Sequence, residues 1–133
     1  MRVGIGHRAL AVQASDDELL QEVEQGQEVV QRVQAPGAEV FVSQASLWEM
    51  VIKASIGRLQ VDLPELERLV PLQGFRWLPI RNEHLLAVAE LASDDVHRDP
   101  FDRLLVCQSR LEPMLLLSLD SQLRSYGATV NVV

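Results

Sequence analysis

Three acidic residues stand close to the ends of short apolar runs or at the start of a helix. Glu49 follows the run at residues 40–42, Asp102 lies in a segment opened by a proline, and Asp120 ends the run at residues 116–119. Hard divalent cations such as Mg²⁺ prefer carboxylate oxygens. Two such ions ~3.5–4 Å apart can activate water and stabilise the leaving oxygen of a phosphodiester. The acids therefore predict metal-dependent phosphodiester chemistry, provided that the fold brings them together.

Each acid also has a purely structural explanation. Glu49 and Lys53 form an i,i+4 pair, which is worth only ~0.2–0.5 kcal/mol on a helix surface. Asp99 precedes Pro100, which favours the first helical position, so Asp99 is predicted to cap that helix. Asp120 suits the cap of a short helix as well as it suits a metal ligand. The spacing alone leaves both explanations open for each residue.

The composition favours one globular domain. The chain has 133 residues, of which 47% are hydrophobic, and we expect a single domain over residues 1–133. No apolar run approaches the ~20 residues of a membrane-spanning helix. The single cysteine, Cys107, agrees with a reducing cytoplasm, and its apolar neighbours predict a buried, inert thiol. The net charge of −7 gives no indication of a broad basic surface for nucleic acid.

Alternating strands and helices are predicted to position the acids. The runs that predict strands are residues 40–42, 75–78, 114–117 and 128–133. Ser43 is predicted to cap a helix that ends just before Gly57, and Asn82 to open another. This alternation indicates an α/β fold, with a mostly parallel sheet covered by helices on both faces. Chemistry in such sheets gathers at the carboxyl ends of the strands, where the acids lie.

The histidine and tryptophan residues do not indicate a second site. His7, His84 and His97 lack the spacing of zinc ligands, so surface or core imidazoles are predicted. Trp48 and Trp77 are interpreted as core residues rather than as platforms for base stacking.

Several motifs resemble PIN domains of the VapC toxin type. Residues 41–59 resemble the strand, helix and turn of that family, including the core Ser46-Leu47-Trp48-Glu49. The most specific match is His97-Arg98-Asp99-Pro100-Phe101-Asp102-Arg103-Leu104-Leu105. Leu116-Leu117-Ser118-Leu119-Asp120 resembles the strand that ends in the family's last acid, and Tyr126-Gly127 resembles its close. The resemblance covers roughly residues 39–133.

The resemblance implies a PIN-like three-layer α/β/α fold and a metal-dependent endoribonuclease. Glu49, Asp102 and Asp120 would be the catalytic, metal-binding acids, and Asp99 a supporting acid that caps its helix. Mg²⁺ or Mn²⁺ would be the cofactor and RNA the substrate. A small antitoxin partner and a homodimer are also implied by the resemblance.

The N-terminus departs from the family pattern. Members open with an apolar strand that ends in Asp, but a gapless alignment anchored at residues 15–18 puts Gly6 there. The first acid of this chain is Asp16, so no neighbour substitutes. Loss of one such group commonly costs roughly 10²–10⁴ in rate. We therefore expect impaired cleavage, and the alternative is an inactive PIN fold that binds an antitoxin or RNA.

A glycine pattern near the first strand offers a hypothesis of another class. Gly4-x-Gly6-x-x-Ala9 mimics a dinucleotide-binding turn, but such a fingerprint is weak without a proper strand before it. A chain of this length also leaves no room for a substrate domain. Binding of a nicotinamide or flavin cofactor would support this alternative.

Overall fold

Strands and helices alternate along the chain, and four of the strands coincide with the predicted apolar runs. The structure is a computed structural model that describes residues 2–5, 35–92, 99–118 and 121–132. Its elements are β1 (Arg2–Ile5), β2 (Glu39–Ser43), α1 (Gln44–Ser55), α2 (Leu63–Leu72), β3 (Arg76–Leu78), α3 (Asn82–Glu90), α4 (Pro100–Leu111), β4 (Leu115–Ser118), a 3₁₀ helix (Ser121–Tyr126) and β5 (Val130–Val132). The predictions for Gly6, His7, residues 15–18, His97 and Asp120 lie outside the described residues.

The described strands form one sheet in the order β3-β2-β1-β4-β5, and all four neighbouring pairs are parallel. Strand β1 occupies the centre, where Val3 pairs with Val40 on one side and Leu115 on the other. This confirms the predicted parallel sheet. Because β2 ends at Ser43 and β4 at Ser118, these serines mark the carboxyl edge at which chemistry was expected.

Side chains of β2 alternate between two packed layers, as the pleat of a strand requires. One face contributes to a cluster of buried residues from β2, α1 and α2: Val40, Val42, Met50, Leu66 and Val70. On the other face, Phe41 packs with Leu78 and Met114. A larger cluster joins α3 and α4 to Leu116 of β4. Helices therefore cover both faces of the sheet, which confirms the predicted three layers.

Gly4 weakens β1 as an isolated strand, and the packing around it explains why a glycine is present. A Cβ atom at this position would lie 3.2 Å from Sδ of Met114, tighter than nine in ten real Cβ contacts. The sheet and the segment after α4 therefore approach each other over Gly4. Arg2 strengthens the same end of β1, because its guanidinium lies 4.9 Å from the centre of the Phe41 ring and donates to the Glu112 carbonyl.

Local signals fix the helix ends where they were predicted. Oγ of Ser43 accepts a hydrogen bond from the Ala45 amide at 3.0 Å and caps α1. Gly57 follows that helix with φ of 74°, the left-handed conformation that glycine adopts most readily. Asn82 is the first residue of α3.

The prediction that Trp48 belongs to the core is wrong. Its side chain is 57% exposed, because α1 buries the face that carries Ala45 and Glu49, and Trp48 projects from another side. Trp77 is half-buried against the cluster of β2, α1 and α2, in agreement with the prediction. Cys107 is buried as predicted, and this burial raises the pKa of its thiol.

Candidate functional site

Glu49 lies on the buried side of α1 although it is an acid. Its exposed fraction is 5%, and Ala45, Ser46 and Met50 share the buried surface of the helix. The predicted i,i+4 pair is present, with Glu49 Oε1 3.4 Å from Lys53 Nζ. A buried carboxylate is costly unless cations or hydrogen-bond donors compensate it. The position of Glu49 therefore suits a residue that holds a cation.

Asp99 and Asp102 begin α4, as the proline between them predicts. Oδ1 of Asp99 accepts hydrogen bonds from the amides of Phe101 at 2.9 Å and Asp102 at 3.3 Å, so Asp99 is the N-cap. Asp102 lies in the first turn and is 8% exposed. The partial positive charge of the helix start stabilises both carboxylates. The cap explains Asp99 completely, whereas it leaves the burial of Asp102 unexplained.

The fold brings the two acid-bearing helices into contact. Helices α1 and α4 pack against each other, and Ala45 of α1 belongs to the same cluster as Leu105 of α4. Glu49 lies one turn beyond Ala45 on α1, and Asp102 lies one turn before Leu105 on α4. Both acids therefore extend from faces that contribute to one interface.

A hydroxyl beside Glu49 adds a third oxygen to this region. Ser46 is fully buried and lies three residues before Glu49, on the same face of α1. Within the described part of the chain, no hydrogen-bond partner lies within reach of its Oγ. Buried hydroxyls nearly always have a partner, from protein, water or a ligand. Two carboxylates and an unsatisfied hydroxyl are a donor set of the kind that Mg²⁺ or Mn²⁺ takes, with water completing the shell.

Arg103, in the first turns of α4, forms hydrogen bonds with the end of α3 and with the 3₁₀ helix. Its guanidinium donates to the carbonyl oxygens of Leu91 at 3.0 Å and Ala92 at 3.3 Å, which follow α3, and lies 3.3 Å from the Tyr126 hydroxyl. These contacts hold the end of α3 and the 3₁₀ helix against the turn that carries Asp102. The cation of Arg103 therefore holds these segments together.

A second group of potential ligands lies at the opposite end of α4. Among the described residues, Glu83, His84 and Glu112 place ligand atoms within 4.8 Å of one another and could hold a metal ion by distance. Nδ1 of His84, however, accepts the Arg81 amide at 3.0 Å, so the ring proton is on Nε2, which lies 2.9 Å from Glu112 Oε1. A metal at Nε2 would have to displace this proton from a buried ring. His84 is the core imidazole that was predicted.

No helix in the described part of the chain has both the length and the apolar character needed to cross a membrane.

The model of the PIN domain family matches residues 18–128. The fold is similar to that of a chain in the crystal structure of VapBC2 from Rickettsia felis bound to a DNA fragment from their promoter. The TM-score is 0.65 and the identity 11%, and the match covers 100% of this chain and 98% of that one. No curated protein matches the chain. Because the family match spans far more than half of its length, the chain belongs to the PIN domain family.

Proposed function

We propose that this chain is a metal-dependent endoribonuclease of the VapC toxin type, with Glu49, Asp102 and Asp120 as its metal-binding acids. The observation that carries the proposal is the burial of Glu49 and Asp102 on two packed helices of a PIN fold. The buried hydroxyl of Ser46 supports it, because it has no hydrogen-bond partner among the described residues and a ligand would supply one. Asp120 is included because the motif at residues 116–120 resembles the strand that ends in the family's last acid.

The roles of the residues follow from their environment. Glu49 and Asp102, both largely shielded from solvent on two helices in contact, would hold Mg²⁺ or Mn²⁺. Asp99 would keep the first turn of α4 in place, so that the Asp102 carboxylate points in a fixed direction. Bound metal supplies activation of water and neutralisation of the phosphate charge. The acids themselves would repel RNA, whose backbone is anionic, so binding of RNA would depend on the cation.

Gly6 favours a second candidate, in which the fold binds an antitoxin or RNA without cleaving it. The family has an Asp at the position where the alignment puts Gly6. The loss of one converging carboxylate weakens the hold on a cation and raises the barrier to cleavage. We therefore propose slow cleavage and weak metal binding as the primary function, and a binding module as the alternative.

A partner is the remaining part of the proposal. The similar structure contains VapBC2 bound to promoter DNA, and we propose a small antitoxin for this chain as well. An arginine of that antitoxin would lie among the acids, since guanidinium forks match carboxylates and relieve their mutual repulsion. We further propose a single domain over residues 1–133 that acts as a homodimer in the cytoplasm. Co-expression with the neighbouring reading frame tests the partner, and failure to isolate a complex by size-exclusion chromatography would contradict it.

Mn²⁺ titration and RNA cleavage by the purified protein test the proposed activity. We expect wild type to bind Mn²⁺ and to cleave RNA slowly, and Asp102→Asn to lose about 10²-fold in cleavage. The matched control is Asp62→Asn, because Asp62 is an exposed N-cap acid of α2 that asparagine replaces without loss of the cap. This control should bind and cleave like wild type. If wild type neither binds Mn²⁺ nor cleaves RNA but still binds the antitoxin, the binding module is the correct function.

A further inference from the structure

Gln108 connects three separate parts of the fold through its side chain. It lies in α4 and is 1% exposed. Its Oε1 accepts a hydrogen bond from the Ser43 hydroxyl at 2.6 Å. Its Nε2 donates to the Pro79 carbonyl at 3.4 Å and lies 3.3 Å from Nδ1 of His84. The end of β2, the segment after β3 and the start of α3 therefore all meet at one buried amide.

The hydrogen bonds around Gln108 fix the direction of each donor. Ser43 Oγ already accepts the Ala45 amide as the cap of α1, so its hydroxyl hydrogen is directed to Gln108. Nδ1 of His84 accepts the Arg81 amide and carries no proton, so Gln108 must present its NH₂ group to that nitrogen. Glutamine supplies one acceptor and two donors in the required arrangement. An ionised glutamate would offer acceptors but no donor at this site, and an apolar residue would offer neither an acceptor nor a donor.

The bond between Ser43 and Gln108 joins the two helices that carry the candidate acids. Ser43 starts α1 six residues before Glu49, and Gln108 lies six residues after Asp102 on α4. Six residues correspond to about 9 Å along a helix axis. A small rotation of either helix about this bond would thus displace a carboxylate appreciably, and Mg²⁺ or Mn²⁺ tolerates little displacement of its ligands.

We propose that Gln108 is a positioning residue that sets the spacing of Glu49 and Asp102 through Ser43. This inference rests on the proposed function, since it presumes that the two acids share a metal site. Groups that orient metal ligands from outside the coordination shell typically contribute 10–100-fold to metal affinity. Because Gln108 acts through helix placement, about a tenfold weakening is expected when its amide is removed.

The test measures the affinity for Mn²⁺. The electron paramagnetic resonance signal of the free ion reports how much Mn²⁺ remains unbound in the titration. Gln108→Met keeps the length of the side chain and removes its hydrogen bonds. Ser43→Ala removes the same bond from the other end. Each variant should bind Mn²⁺ about tenfold more weakly than wild type. The loss in the double variant should be smaller than the product of the two single losses, because the bond between Ser43 and Gln108 is shared, whereas the cap of α1 and the contacts of Gln108 with Pro79 and His84 are not.

Ser109→Ala is the matched control on the same helix. Ser109 is buried next to Gln108, and its hydroxyl lies 2.9 Å from Oγ1 of Thr129, which is in the turn before β5. Its loss should lower the melting temperature and leave Mn²⁺ affinity unchanged. If Gln108 has only a structural role, Gln108→Met should likewise lower the melting temperature and leave Mn²⁺ affinity unchanged. That outcome would overturn the inference.

Further outcomes separate this inference from the proposed function. If Asp102→Asn abolishes Mn²⁺ binding while Gln108→Met and Ser43→Ala bind like wild type, only the inference fails. If wild type binds no Mn²⁺, or Asp102→Asn binds it unchanged, the proposed site and the inference fall together. A tenfold loss in each single variant that multiplies in the double variant would show independent roles and contradict the shared bond. If neither single variant folds, the bond serves stability and the positioning role is refuted.

Discussion

Substitution of Asp99 separates the two roles that its position allows. In the structure Oδ1 of Asp99 accepts the amides of Phe101 at 2.9 Å and Asp102 at 3.3 Å. Asp99→Ala removes the cap oxygen and the charge, whereas Asp99→Asn removes only the charge. A residue that acts only as a cap should tolerate asparagine, and a residue that holds metal should not.

The expected size of the effect follows from the cap and from the length of the chain. Loss of an N-cap costs about 1 kcal/mol. Unfolding entropy of about 2.1 cal/mol/K per residue over 133 residues gives about 280 cal/mol/K, so Asp99→Ala should lower the melting temperature by about 3.5 °C. Asp99→Asn loses only the attraction between its charge and the helix start, about 0.3–1 kcal/mol at low ionic strength. Salt should reduce that smaller loss further.

The assay is thermal unfolding by circular dichroism at low and high salt, with Mn²⁺ titration of the same samples. We expect Asp99→Ala to melt lower at both salt concentrations, and Asp99→Asn to approach wild type at high salt with unchanged Mn²⁺ affinity. An Asp99→Ala protein as stable as wild type would refute the assignment of the cap. Loss of Mn²⁺ binding in Asp99→Asn as complete as in Asp102→Asn would instead make Asp99 a ligand.

Three further predictions address the missing acid, the ion pair and the thiol. Gly6→Asp should raise the rate of RNA cleavage by at least ~10²-fold. The melting temperature of the variant is measured in parallel to show that it is folded. Unchanged cleavage in a folded variant would mean that the site needs no fourth acid. Lys53→Met should raise Mn²⁺ affinity, because it removes a cation 3.4 Å from Glu49. Without metal it should lower the free energy of unfolding, because the buried carboxylate of Glu49 loses a compensating cation; Mn²⁺ titration and urea unfolding measure the two effects, and an unchanged Mn²⁺ affinity would contradict the prediction. Cys107 is 3% exposed with a raised pKa, so a thiol reagent at pH 8 should label native protein far more slowly than unfolded protein, and rapid native labelling would contradict this.

The parts of the fold that were predictable depend on local chemistry. Ser43 and Gly57 bound α1 because a cap oxygen and a left-handed glycine act within a few residues of their own position. Asp99 and Pro100 mark the start of α4 for the same reason. The alternation of apolar runs and helices then limits the sheet to a parallel arrangement. These signals also predict that Asp102 lies in a first helical turn, where the structure has it.

The features that escaped prediction depend on contacts between distant segments. Gln108 meets Ser43 and His84 from positions far apart in the chain, and nothing local to Gln108 indicates either partner. The pair of Glu49 with Lys53 favours a surface position, but the tertiary packing of α1 buries the glutamate. The residue type of Trp48 predicts a core position, but tertiary packing decides which face of α1 is buried, and Trp48 lies on an exposed one.

The central place of β1 has a consequence for the order in which the protein is made. Residue 3 pairs with residues 40 and 115, so the middle strand of the sheet has one early neighbour and one late neighbour. At a synthesis rate of about 5–20 residues per second, β4 leaves the ribosome on the order of ten seconds after β2. During that interval one edge of β1 lacks its partner and can pair with another chain. Folding should therefore be slow, since it waits for contacts of high sequence separation, and this early intermediate is the stage at which a chaperone or a partner would protect the chain from aggregation.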